Sequence, residues 1–217
     1  MSQVRTWSLT FPTPSVIFSR VMSAPLPYLF EDRTGHSTAS DWDDIYDRLY
    51  LRVAPCPTTL NVTNVYTMNQ RASRHRDTVP FDRTPSVILD FNRKGGEYAT
   101  VSFVQKQGPR AGSVSTVPLS KYLRKTSMFG GSLSRKFTAS DGQEYRWAFR
   151  GGVSGREWTC TRSDSYLVAH FDLKPPNTRT YGLSSGNSLT VYEHYASLSI
   201  ELLASLTLMR YIQEHNL

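Results

Sequence analysis

Residues 197–217 read SLSIELLASLTLMRYIQEHNL, and this segment constrains the fold more than any other part of the chain. At 3.6 residues per turn, Leu198, Ile200, Leu202, Leu203, Leu206, Leu208, Met209 and Ile212 surround a helix on nearly every side, and Glu201 is the one charge before Arg210. A helix that is apolar all round belongs inside protein or inside lipid. Its apolar positions, interrupted by a carboxylate, fall short of the ~20 residues that span a bilayer. Residues 198–212 are therefore predicted to form a central helix with the rest of the chain folded round it.

The rest of the chain is strand-like. Short runs recur as TWSLTF near the start, SVIFSRV at 15–21, DRLYLRVA at 47–54, NVTNVYTM at 61–68, SVILDF at 86–91, EYATVSFV at 97–104 and GSVSTVPL at 112–119. They continue through EWTCTR at 157–162, YLVAHFDL at 166–173 and SLTVYEHY at 188–195, with Gly, Pro, Asn and Asp between them. This is the pattern of an antiparallel, mainly β protein. The clearest local signal is LSRKFTASDGQEYRWAFR at 133–150. There Tyr145, Trp147 and Phe149 alternate with Glu144, Arg146, Ala148 and Arg150, and Leu133, Phe137 and Ala139 alternate before them, so two strands are predicted with one buried face each. Asp141-Gly142 between them predicts a two-residue hairpin turn with positive φ. PLSKYLRK at 118–125 predicts a turn or two of helix, started by Pro118 or capped by Ser120. The acidic, Ser/Thr-rich EDRTGHSTASDWDD at 31–44 reads as an exposed excursion between strands.

A chain of 217 residues suits one large β domain. Its two cysteines, Cys56 and Cys160, have no metal-ligand spacing, and the first residues lack a basic head with an apolar run; a reduced, cytoplasmic setting is expected. The net charge of +7 and pI near 9.5 permit attraction to phosphate-bearing partners. Nearly all of that excess lies between Lys121 and Arg179, where eleven Lys and Arg face five Asp and Glu.

Taken together, Leu49-Tyr50, Val117-Pro118-Leu119, Arg135-Lys136-Phe137, Asp141-Gly142-Gln143-Glu144-Tyr145-Arg146-Trp147, Val168-Ala169 and the apolar helix at 198–212 resemble a basidiomycete domain family known only as one of unknown function. The resemblance runs from about Asp47 onward and makes 22–45 look like an acidic insertion loop in a single domain over 1–217. That family is distantly similar to tubby-like and phospholipid-scramblase-like barrels. The resemblance therefore implies a closed antiparallel β-barrel of about twelve strands around a hydrophobic C-terminal helix, with Asp141-Gly142, Tyr145 and Trp147 as a structural signature.

Catalytic groups are sparse. His170 and His194, with Glu193, Tyr192 and Asp172 near them in sequence, could serve acid/base work at one barrel end, and a catalytic or small-molecule-binding barrel is the alternative function. A hydrogen-bonded structural histidine fits the apolar YLVAHFD better, and Cys160 fits a small buried hydrophobe. No phosphate loop, zinc spacing or nucleophile elbow is present in the sequence, so no metal or cofactor is expected. The basic residues are the better candidates. Lys136, Arg146 and Arg150 alternate away from the aromatic face, with Lys121, Arg124 and Lys125 nearby. They predict a non-enzymatic binding module that meets anionic headgroups, phosphoinositide-like by the resemblance, or an acidic protein surface. A solvated edge that discourages aggregation is the bland reading. Nucleic acid is disfavoured, because the interleaved aromatics face the core rather than offering stacking platforms. Contact with a membrane would be peripheral, without a spanning helix.

Overall fold

A computed structural model describes residues 26–71, 84–92, 99–106, 109, 111–127, 133–152, 155–175, 182 and 184–217. The strand expectations near the start and at 15–21 lie outside these residues. Among the described residues thirteen strands form one antiparallel sheet: β1 (Tyr28–Asp32), β2 (Ser40–Asp44), β3 (Tyr50–Pro55), β4 (Val62–Met68), β5 (Val87–Asp90), β6 (Thr100–Val104), β7 (Val114–Pro118), β8 (Arg124–Lys125), β9 (Arg135–Thr138), β10 (Glu144–Gly152), β11 (Gly155–Arg162), β12 (Leu167–Leu173) and β13 (Ser188–Val191). β1 to β7 pair in sequence order, as do β8 to β13, and β1 pairs with β13, so two meanders join along that one ladder.

The helix α2 (Ser199–His215) is buried as its composition demands. Leu202, Leu203, Leu206, Leu208 and Met209 have no exposed surface, and each fully buried side chain of this kind contributes roughly 1.5–3 kcal/mol. Side chains from widely separated strands meet α2. The Trp147 indole N–H of β10 donates to the Ser205 hydroxyl at 2.8 Å, the Arg210 guanidinium lies 5.0 Å from the Phe171 ring of β12, and Tyr211 stacks on Phe91 after β5. The sheet therefore curls round the helix.

It does not close into the expected barrel. The order runs from β7 at one edge to β8 at the other, and no ladder joins them among the described residues. The physical reason lies in the connection between these edges. β7 ends on Pro118, which has no N–H to donate, and β8 has only two residues; between them stand α1 (Leu119–Tyr122) and Leu123. Side chains bridge the seam instead. The buried Tyr122 ring lies 5.5 Å from Phe103 of β6 and 5.7 Å from Phe137 of β9.

The acidic stretch is a second correction. Rather than forming one exposed excursion, 31–44 gives its two ends to β1 and β2 in the middle of the sheet, with 33–39 joining them and Asp32, Asp43 and Asp44 buried. Arginines make that possible. Arg33 reaches Asp43 at 3.0 Å, Arg48 reaches Asp44 at 2.7 Å, Arg52 reaches Asp41 at 2.6 Å, and Arg210 of α2 lies 3.5 Å from Asp32. Arg48 also donates to the carbonyls of Leu26 and Pro27 and sits 4.0 Å from the Tyr28 ring centroid. Burial works to raise the Asp44 carboxyl, but the Arg48 hydrogen bond and the Leu29 N–H outweigh it and hold the group below its usual range.

The 139–143 hairpin differs in detail from its expectation. Gly142 has φ +78°, as predicted, but Asp141 does not share a positive φ. Gly142 N–H donates to Ala139 at 2.9 Å and Ala139 N–H to Gln143 at 3.0 Å, which makes a three-residue loop with the glycine in the left-handed position rather than a two-residue turn.

Candidate functional site: a basic row across β8, β9 and β10

The short β8, β9 and the long β10 lie side by side at the edge of the sheet, and their register decides which charges meet. Arg124 of β8 stands opposite Lys136 of β9, which stands opposite Arg146 of β10. The period of two that buries Phe137, Tyr145 and Trp147 in the core sends these three side chains to the outer face. With strands about 4.8 Å apart, three cations lie within roughly 10 Å of one another. One carboxylate serves two of them. Glu144 accepts from Arg124 through one oxygen and from Lys136 through the other, both at 2.8 Å. The Lys136 hydrogen bond is the main influence holding Glu144 below its usual value, with Arg124 adding to it. The Arg146 side chain is exposed and makes no hydrogen bond or ion pair among the described residues.

Not every predicted cation joins this row. Arg150 lies on β10 too, but four residues from Arg146, or about 13 Å along an extended strand. Opposite it stands Glu157, 3.8 Å away, and beyond that Asp172. Lys121 is exposed on α1. Lys125 belongs to the other face of β8: its cross-strand neighbour is Arg135, which in turn faces Trp147.

Arg135 is the residue that sequence reasoning passed over. It is only 4% exposed, its guanidinium donates to the carbonyls of Ser134 and Leu217 at 3.2 Å each, and burial pushes its pKa down. The signal was in the alternation. Arg135 falls in step with Phe137 and Ala139, so it is a charge on a core-facing position.

The family of unknown function DUF6593 matches residues 54–210. The chain belongs to that family. No curated protein and no solved structure matches the chain. Within the stretch shared with DUF6593 lie the outer row, Arg135 and the whole of β8 to β13.

The histidine alternative divides into separate pairs. His170 Nε2 lies 3.1 Å from Asp172 and its ring 6.0 Å from the Tyr192 ring, on the face of β12 away from Ala169 and Phe171. The buried His170 Nδ1 has no partner among the described residues. His194 is in a 3-10 turn (Glu193–Leu198) rather than on a strand, is mostly exposed, and has Glu193 3.6 Å away. Cys160 is fully buried, and burial raises its thiol well above the usual value. Cys56 differs: its hydrogen bond with Thr58 lowers its pKa to about 7.

Proposed function

We propose that this protein is a non-enzymatic binding module whose outer β8–β9–β10 face meets phosphate-bearing surfaces, the headgroups of anionic lipids above all. The observation that carries this reading is the cross-strand row Arg124, Lys136, Arg146, which shares a single carboxylate and ends on an arginine that no described side chain engages. Like charges placed directly opposite each other are locally unfavourable, so a row of them is best explained by a partner of opposite sign. Arginine offers such a partner two parallel hydrogen bonds. The resemblance to tubby-like barrels, which bind phosphoinositides through basic residues, points the same way. No helix among the described residues is long and apolar enough to cross a membrane, so contact by this face would be peripheral.

Sedimentation with vesicles tests the proposal. Binding to anionic vesicles should weaken as salt rises, because the Debye length falls from about 10 Å at 0.1 M to about 3 Å at 1 M. Lys136→Ala with Arg146→Ala should weaken it by about 1 kcal/mol per charge removed. Equal sedimentation of wild type and double variant, or none with any anionic vesicle, rejects this function.

A further inference from the structure

The seam that leaves the sheet open is also a cavity of about 370 Å³. Leu119 and Ser120 of α1 form one wall, Ile212 of α2 and Leu217 another, and Lys125 and Arg135 stand along the β8–β9 side. The two cations are direct cross-strand neighbours on the face opposite to the outer row, Arg135 buried and Lys125 exposed. A cross-strand pair of like charge is unfavourable on its own. Arg135 donates to the Ser134 carbonyl and to Leu217. The rest of the wall is largely aliphatic. A cavity with apolar sides and two convergent cations has the composition of a small-molecule site, and its volume falls within the roughly 300–1,000 Å³ of such sites.

We propose that this seam cavity binds a single-tailed amphiphilic anion, its phosphate or carboxylate head on Lys125 and Arg135 and its short tail against Leu119, Ile212 and Leu217. A two-tailed lipid exceeds the space. The site stands independently of the outer face, since neither Lys136 nor Arg146 lines it.

Calorimetric titration of the full chain with octyl phosphate and octanoate, below their micellar concentrations, tests this. Octanol supplies the tail without the charge, and inorganic phosphate the charge without the tail. At least one of the two amphiphiles should bind about tenfold or more tightly than either control, and Lys125→Glu should weaken it by about tenfold or more. Ser120→Trp, at an exposed position on the rim, should block it. Lys136→Ala with Arg146→Ala should bind like wild type, even though that variant is the one expected to lose vesicles. Should Lys125→Glu not fold, Lys125→Gln reads the same contact. No binding of either amphiphile, binding that octanol equals, binding unchanged at position 125, or binding lost with the outer-row variant would each overturn the assignment.

Discussion

The two charged poles of the molecule handle charge in opposite ways. At the acidic pole, on β1, β2 and the turn after them, Asp32, Asp41, Asp43 and Asp44 each have an arginine within 3.5 Å, and three of these carboxylates are buried. At the basic pole, besides the buried Arg135, α1, β8, β9 and β10 carry Lys121, Arg124, Lys125, Lys136, Arg146 and Arg150 with Glu144 as the one carboxylate of these elements. The first arrangement ties β1, β2 and β3 to one another and, through Asp32 and Arg210, to the central helix. The second leaves charge facing water. Matched, desolvated ions are committed to the fold, whereas unmatched, solvated ones remain available to a partner.

The sharpest way to break this contrast is to remove one matched carboxylate. Asp32 has no exposed surface, and it faces Arg210, also nearly buried, while accepting from the Gly35 N–H and the Ser40 hydroxyl. Asp32→Ala leaves the guanidinium buried without its carboxylate and should cost about 3–5 kcal/mol in urea unfolding. A loss below about 1 kcal/mol would show that the acidic pole is as dispensable as a surface patch.

These same carboxylates explain what the sequence hid. Asp32 and Asp44 sit on inward positions of β1 and β2, so the stretch fails the alternation test and reads as a polar loop. The arginine that makes Asp32 tolerable lies on α2, far along the chain, and no local pattern reveals it. The central helix and the β9–β10 hairpin were legible because their signals are local: a ring of leucines in one case, and aromatic alternation with Asp-Gly in the other. The open seam was not legible. Whether β7 meets β8 depends on Pro118, on how far β8 extends, and on Tyr122 filling the gap. The outer row was legible as a face but not as a row, because strand register separates Arg150 from Arg146 and puts Lys125 on the opposite face.

The hairpin that presents the row gives the next largest effect. At Gly142 an added Cβ would meet nothing within 4 Å, so only the backbone conformation at φ +78° resists substitution. Gly142→Val should cost about 1–2 kcal/mol from that strain. A neutral result would mean that the loop relaxes freely and that the register of the row is held elsewhere.

Glu201 sharpens the comparison, because it is a buried carboxylate with no arginine within ion-pair distance among the described residues. Burial raises it above its usual value, while the Ser140 N–H, donating at 2.9 Å, works against the shift. A raised folded pKa means that its contribution to stability is full below the unfolded value, near pH 4.3, and is lost as pH rises through the folded one. Glu201→Gln keeps an acceptor for Ser140 and cannot ionise. Its stability relative to wild type should therefore increase from about pH 4 toward neutrality, by less than the Asp32 effect. Parallel melting curves across that range would place Glu201 with the matched carboxylates instead.

The smallest expected change in stability falls on Arg146, and it decides whether the basic pole is really uncommitted. Its side chain is exposed, it lies between Lys136 and Thr161 in the ladder, and it has no hydrogen-bond or ion-pair partner among the described residues. Surface substitutions of this kind stay within about 0.5 kcal/mol, and removing a cation from a row of like charge relieves repulsion that offsets any lost packing. Arg146→Ala should therefore melt with wild type while its binding to anionic vesicles falls and becomes less sensitive to salt. A destabilisation of more than about 1 kcal/mol would place Arg146 beside the arginines of the acidic pole, as a residue that the fold consumes, and would leave the row without a charge to offer.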